Sequence, residues 1–457
     1  MRDRNTFRIL IICTYFPPDS SIAAVRPYML AKYLLKKGHH VTVLRAGKFS
    51  QMPDKSFQGY PQRLEIINAM GSECPVELYE QNKNSYVQHV KLGWINEEKR
   101  ETIRRIYYKL LGSFVWVQHL KECNAIFQKQ KVILDRIAGR YDAVITTFGD
   151  IENIYAGLYV SGHLGRKWIL DLRDPVTTPY RGFVWNFLVK KTERMAVQNA
   201  NACIAVSHGL SREIYGKTGI RPKTIYNGYD GDMLREETAE MTQTDKQEAV
   251  LAFCYTGAVY ADRQKAFDIF CSRLNSMIHN NRIKISQIKL RYAGNNSRLV
   301  KKILKKYGLD SMLDDRGYLS RGDVYALQNQ SDIFLLLSWN TKISKGIITG
   351  KFFEGIRSRK PVLAVIAGNE PCSELYIINK KCNYGFCYEQ SRPGADAQLE
   401  QFIEQAVYQK AVKGHVSYNP KPELFHKFHY KNLTDKMEKI IKDVCVKEDS
   451  YEVQDEY

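Results

Sequence analysis

The sequence predicts an α/β protein made of two doubly wound parallel-sheet domains. Three observations carry this: a strand–turn–helix–strand series opens the chain, a second series of the same kind begins at residue 251, and the length is 457 residues. A single hydrophobic core rarely grows past ~250–300 residues, so two cores are expected.

The first unit is read from "RILIICTYF", the turn "PPDSS" and "AAVRPYMLAKYLLKKG", where Val25, Met29, Leu30, Tyr33 and Leu34 recur at helical spacing. Gly38 stops that helix and "HHVTVLRAG" is the next strand, which completes a parallel βαβ unit. Further strands are expected at 143–148, 167–174 and 202–207, and "KTIYNGYD" (223–230) reads as a strand ending in a turn. The polar run 231–248 is a linker between a first domain, 1–230, and a second, 249–418. The second series runs "LAFCYTGAV", "IKLRYAG", "DDRGYL", "DIFLLLS" and "PVLAVIAG". Beyond Pro420 a helical segment fills 419–446, and the acidic tail 447–457 is expected to be disordered.

Residues 94–137 stand apart as helical, basic and aromatic, with Ile103, Ile106, Tyr107, Leu110 and Leu111 along one stripe. Two readings stay open: a helical pair packed on the domain, or an interfacial surface on anionic lipid. The net charge of +19 favours an anionic partner, and residues 1–200 hold 30 Lys/Arg against 18 Asp/Glu. No zinc-finger spacing, aromatic RNP strand or basic heptad is present, so nucleic acid is not the expected partner. The ten cysteines form no Cys-x-x-Cys pair and read as buried hydrophobes in a reducing compartment. The apolar N-terminal run is too short for a signal peptide, and no apolar stretch approaches 18 residues. A cytoplasmic protein is expected.

"GKFFEGIRSRKPVLAV" (350–365) reads as a helix followed by a buried strand, with Lys351 and Glu354 on its first turn. The pair is either an ordinary surface ion pair or part of a ligand site. Arg173 and Asp174 follow the strand "WILDL", where doubly wound sheets hold their sites. They are either catalytic and phosphate-holding groups or an Arg–Asp pair that locks the loop before Pro175.

Several of these stretches resemble retaining glycosyltransferases of family four, particularly the bacterial capsular and exopolysaccharide assembly branch. The resemblance rests on "YFPPDSSIAAVRPYMLAKYLLKKGHHVTVL", "WILDLRDPVTTPY", "CIAVSHGL" with "IYNGYD", "YTGAVYADR" and "GKFFEGIRSRKPVL", which span nearly the whole chain. It implies the GT-B architecture: two Rossmann-like domains facing a cleft, the first for the acceptor and the second for a nucleotide-diphosphate sugar. On that resemblance Glu354 would accept from the ribose hydroxyls, while Arg263 and Lys351 neutralise the diphosphate. Gly257, Gly294 and Gly350 would let backbone approach the nucleotide, and Tyr318 would sit where the base meets the chain. Asp174 and Arg173 are candidate catalytic residues, and Arg26 with Arg173 are candidates for a donor or acceptor phosphate. No metal or other cofactor is expected.

Two departures bear on activity. Ala258 stands where the family usually has Arg, and Gly346 where many members carry a first acid. The implied function is transfer of a sugar, with retention, to a lipid-linked saccharide during surface polysaccharide synthesis, by a peripheral protein at the inner membrane face. A nucleotide-sugar 2-epimerase and a non-catalytic binding partner are the alternatives.

Overall fold

The structure, a computed structural model, describes residues 6–19, 21–46, 59–70, 97–148, 150–177, 182–230, 249–342 and 345–446. The expected disorder of 447–457 and the linker 231–248 lie outside the described residues.

The strands are β1 (Arg8–Cys13), β2 (His40–Arg45), β3 (Glu65–Asn68), β4 (Ala143–Thr147), β5 (Trp168–Leu172), β6 (Ala202–Ala205) and β7 (Lys223–Thr224), then β8 (Leu251–Thr256), β9 (Ile288–Ala293), β10 (Leu313–Asp315), β11 (Ile333–Trp339), β12 (Val362–Ala367) and β13 (Gly385–Glu389). The helices are α1 (Val25–Lys36), α2 (Glu97–Ile137), α3 (Ile151–Gly162), α4 (Gly182–Asn199), α5 (His208–Thr218), α6 (Ala261–His279), α7 (Ser297–Lys306), α8 (Arg321–Asn329), α9 (Gly350–Ser358), α10 (Glu374–Cys382), α11 (Ala395–Lys413) and α12 (Tyr430–Val446).

Every ladder is parallel. One sheet has the order β3-β2-β1-β4-β5-β6-β7 and the other β10-β9-β8-β11-β12-β13. Strands covered on both faces become continuous apolar runs, and the residues of β4, β5, β8 and β12 are all buried. The strand order reverses between β1 and β4 in one sheet and between β8 and β11 in the other. Ligands of such sheets bind outside the strands' carboxyl ends at these switch points.

The chain forms two compact units, and each is described by itself. The first groups residues up to Val206, Leu210–Ile225 and the chain from Thr434; the second groups Ser207–Gly209 and Tyr226–Leu433. Most of α12 therefore joins the first unit, rather than standing as the separate 419–446 segment expected. The physical reason is burial of Met437, Ile440 and Ile441, with Lys37 reaching Asp435 at 2.5 Å and Glu438 at 2.8 Å.

In the first unit Trp168 and Trp185 are fully buried with Leu170, Leu172 and Val189. Residues 97–137 are one helix of 41 residues, not a helical pair. From Leu120 onward it buries Cys123, Ile126, Gln130 and Leu134, one face at helical spacing. The stripe at 103–111 lies outside the described side chains. In the second unit Phe253, Phe267, Phe270 and Tyr292 fill one side of the sheet, and Phe352, Phe353, Tyr384 and Phe428 the other. Of the expected strand 223–230, only Lys223–Thr224 is extended in a ladder.

Candidate functional site

In the second unit the site grows from backbone packing at the carboxyl ends of β8, β9 and β10. Gly257 follows β8 with φ +133° and donates its N–H to Ala293 O at 2.7 Å. Gly294 follows β9 and donates to Gly317 O at 2.8 Å. A side chain at 294 would place its Cβ 2.3 Å from Gly257 O, so these loops approach as only glycine permits. Tyr318, just past Gly317, is exposed.

Lys351 lies against this backbone: a Cβ at 257 would stand 3.2 Å from Lys351 Cε. Lys351 Nζ meets Glu354 Oε2 at 2.8 Å. The same oxygen accepts from Gln328 Nε2 at 3.4 Å, and Gln328 Nε2 also donates to Thr256 Oγ1 at 3.0 Å. Arg357 Nη2 holds the other end of Gln328, donating to Oε1 at 3.2 Å. The pair is therefore tied through Gln328 to the end of β8. Gln328 and Thr256 were invisible to sequence reasoning, since neither belongs to a recognisable motif.

The first turn of α9 carries no side-chain cap: Thr349 makes no capping bond, and its Oγ1 is buried without a hydrogen-bond partner. Uncapped first-turn amides with the positive end of the helix dipole favour an anion. Gly350 opens that turn. Arg263, on α6, stacks its guanidinium 4.9 Å from the Tyr260 ring centre and 5.8 Å from that of Trp339, the last residue of β11. Among the described residues it makes no ion pair. Burial raises the phenol of Tyr255 above its ordinary range, and Arg263 and Glu354 both act on it electrostatically. The two candidates therefore share one neighbourhood.

Gly346 has φ +71°, and a Cβ there would lie 2.3 Å from Gly209 Cα and 3.1 Å from Glu374 Oε2. Position 346 is therefore closed to any side chain. Glu374 fills the adjacent space, accepting from His208 N at 2.9 Å, Gly209 N at 2.8 Å and the Tyr226 hydroxyl at 2.5 Å. Sequence reasoning passed over Glu374. At position 258 the Ala carbonyl accepts from the Tyr255 hydroxyl at 2.9 Å.

In the first unit Arg26 is 1% exposed and Asp171 fully buried. Arg26 Nε donates to Asp171 Oδ2 at 2.8 Å and Nη2 to Oδ1 at 2.7 Å, a two-pronged pair joining α1 to β5. Arg26, expected as a phosphate ligand, has its guanidinium committed to a buried ion pair, because the acid of "WILDL" points into the helix layer. Arg173, half-buried, donates Nη1 to Ala23 O at 2.5 Å, and Asp174 is exposed. Burial pushes the thiols of Cys13, Cys203 and Cys254 up to about 12, as suits buried hydrophobes.

No family model and no curated protein sequence matches the chain. Its structure is similar to sucrose-phosphate synthase from Thermosynechococcus elongatus, at TM-score 0.58 and 12% identity over 96% of this chain and 99% of that one. It is similar to Anabaena HepE in complex with UDP and glucose, at TM-score 0.56 and 13% identity over 96% and 100%. The N-terminal domain of Candida albicans trehalose-6-phosphate phosphatase gives TM-score 0.60 and 12% identity over 96% and 97%. The fold is that of the GT-B glycosyltransferases, with two parallel-sheet α/β domains in one chain. No helix among the described residues is long and apolar enough to cross a membrane.

Proposed function

We propose that the chain is a retaining glycosyltransferase, which takes a sugar from a nucleotide-diphosphate donor and passes it to a lipid-linked saccharide. The observation that carries this reading is the α9 terminus. There an uncapped helix end, Lys351, the Gly257 backbone and the carboxylate of Glu354 meet at the switch point of the second sheet. Loss of the nucleotide leaves negative charge on a diphosphate, and fixed cations and amides stabilise it without reorganising. Lys351, Arg263 and the first-turn amides of α9 would supply that charge without a metal ion, and Glu354 would accept from ribose hydroxyls. Complexes of HepE with UDP and glucose and with UDP-glucose support a nucleotide-sugar donor for this fold. Asp174 would act on the acceptor side, with Arg173 beside it in the chain.

A membrane-side acceptor finds support in α4 as well as in net charge. Phe183 and Phe187 are 81% and 72% exposed, one turn apart, with rings 6.1 Å from each other. Exposed Leu188, Lys190, Lys191 and Arg194 continue the same helix, a pattern of apolar anchors edged by cations that suits an anionic surface. This would hold the protein peripherally at the inner membrane face during surface polysaccharide assembly.

Incubation with UDP- and GDP-sugars tests the activity. Tight nucleotide binding with slow sugar release supports the transferase. Interconversion of two sugars would mean an epimerase, and binding without turnover a non-catalytic partner. Co-sedimentation with anionic vesicles at low and high salt tests the membrane part. The wild type should pellet at low salt, and Phe183→Asp with Phe187→Asp should stay in the supernatant; pelleting by that variant would exclude α4 as the anchor.

A further inference from the structure

A polar cluster in the first unit takes no part in the reading above. His119 and Cys123 lie one turn apart on α2, so both project from one face. Across from them, Asp150 caps the N-terminus of α3, its Oδ1 accepting from Ile151 N at 3.0 Å, and Glu152 lies in the helix's first turn. His119 Nε2 is 2.9 Å from Asp150 Oδ1, 2.8 Å from Oδ2 and 3.6 Å from Cys123 Sγ. Donor atoms of these three residues all fall within 4.8 Å of one another.

The cluster is largely dry. Cys123 and Glu152 are no more than 1% exposed and Asp150 5%, while His119, at 19%, forms the open edge. The rings of Trp116 and Trp185 stand 5.6 and 5.9 Å from the imidazole. Glu152 borders the cluster. Its Oε1 accepts from the Thr14 hydroxyl at 2.6 Å, but its Oε2 is buried with no hydrogen-bond partner. The Cys123 thiol lies beside the same carboxyl group. Asn153 fixes Thr14 in turn, donating Nδ2 to its hydroxyl at 2.9 Å and to Thr147 O at 3.0 Å. An imidazole, a thiol and a carboxylate whose donor atoms meet this closely are the ligand types that a transition-metal cation takes.

We propose that His119 Nε2, Cys123 Sγ and Asp150 bind one zinc ion, which ties α2 to the switch point of the first sheet. A mixed nitrogen, sulfur and oxygen set suits zinc rather than magnesium or calcium. Tetrahedral bonds of ~2.0–2.3 Å put nitrogen and sulfur ligands ~3.5 Å apart, close to the 3.6 Å between His119 and Cys123. The Asp150 contact lengthens by ~0.5 Å when its hydrogen bond becomes a shared ligation. Cys123 binds as thiolate, so its proton leaves to solvent as the metal enters. Three protein ligands leave the fourth position to a water molecule.

The test uses the full-length protein, purified without chelator, analysed for metal, then stripped and titrated with Co²⁺. About one zinc per chain is expected, and the stripped protein should take up one Co²⁺ with a near-ultraviolet thiolate-to-cobalt band and a raised Tm. Cys123→Ser should abolish the band, and His119→Gln should weaken Co²⁺ binding ~10–100-fold. Should Cys123→Ser fail to fold, His119→Gln and Asp150→Asn decide by the same titration. The absence of both stoichiometric zinc and a cobalt band in the wild type overturns the proposal. So does a band that survives unchanged in the folded variants, which would assign the metal to other cysteines.

Discussion

Replacing Glu354 with Gln keeps the shape of the side chain and removes its charge. The carboxylate is 14% exposed and accepts from Lys351 at 2.8 Å and Gln328 at 3.4 Å. As a structural pair at i,i+3, its loss should cost only ~0.3–0.5 kcal/mol of stability. That is less than ~2 °C in Tm for a chain of this size. As a ligand group the same carboxylate would accept two ribose hydroxyls. A charge-assisted hydrogen bond contributes ~1.5–3 kcal/mol and a neutral one ~0.5–1.5. Two bonds each weakened by ~1–1.5 kcal/mol give ~2–3 kcal/mol in all, or ~30- to 150-fold in Kd. Titration calorimetry with UDP and with uridine separates the roles of the pair. Glu354→Gln should weaken both ligands alike, while Lys351→Met should weaken UDP far more than uridine. An unchanged affinity for UDP in a folded Glu354→Gln protein would refute the ligand role and return the pair to an ordinary ion pair.

Three further outcomes follow from the geometry. Arg263→Ala removes a cation that stacks on Tyr260 and Trp339; turnover should fall ~10²-fold with nucleoside affinity little changed, and near-normal turnover would pass the role to Lys351. Asp171→Asn leaves the buried guanidinium of Arg26 without its charge partner, which should cost ~3–5 kcal/mol in urea denaturation; a loss under ~1 kcal/mol would mean that the pair carries little stability. At Glu438 burial alone would raise the carboxyl, but the ammonium groups of Lys37 and Lys442 hold it down to about 2. Its folded value lies below the ordinary 4.5, so the stability it contributes is complete above that pH and is lost as pH falls from 4.5 towards 2. Solvent screening limits the amount to ~1 kcal/mol. Glu438→Gln should flatten that part of the acid stability curve, and an unchanged curve would argue against the linkage.

The two-sheet fold was legible because parallel strands covered on both faces must be apolar along their whole length, and such runs stand out in any sequence. β1, β4, β5, β8, β11 and β12 all announced themselves this way. β3 and β13 did not: "EIIN" and "GFCYE" are short and carry polar ends, as edge strands do. Lys351 and Glu354 could be placed on one helical face from their spacing alone, because i,i+3 neighbours share a face in any helix. Their tie to Gln328 and Thr256 could not be read, since it joins three elements far apart in the chain. The same holds for Arg26. Its position on α1 was legible, yet its partner Asp171 lies 145 residues away, and only the tertiary structure shows the buried pair between α1 and β5. The closure of position 346 by Gly209 and Glu374, and the meeting of His119 and Cys123 with Asp150, belong to the same class. Local spacing follows from helix and strand periodicity and is written in the sequence. Contacts between elements depend on how whole surfaces bury one another, and no short stretch of chain encodes that.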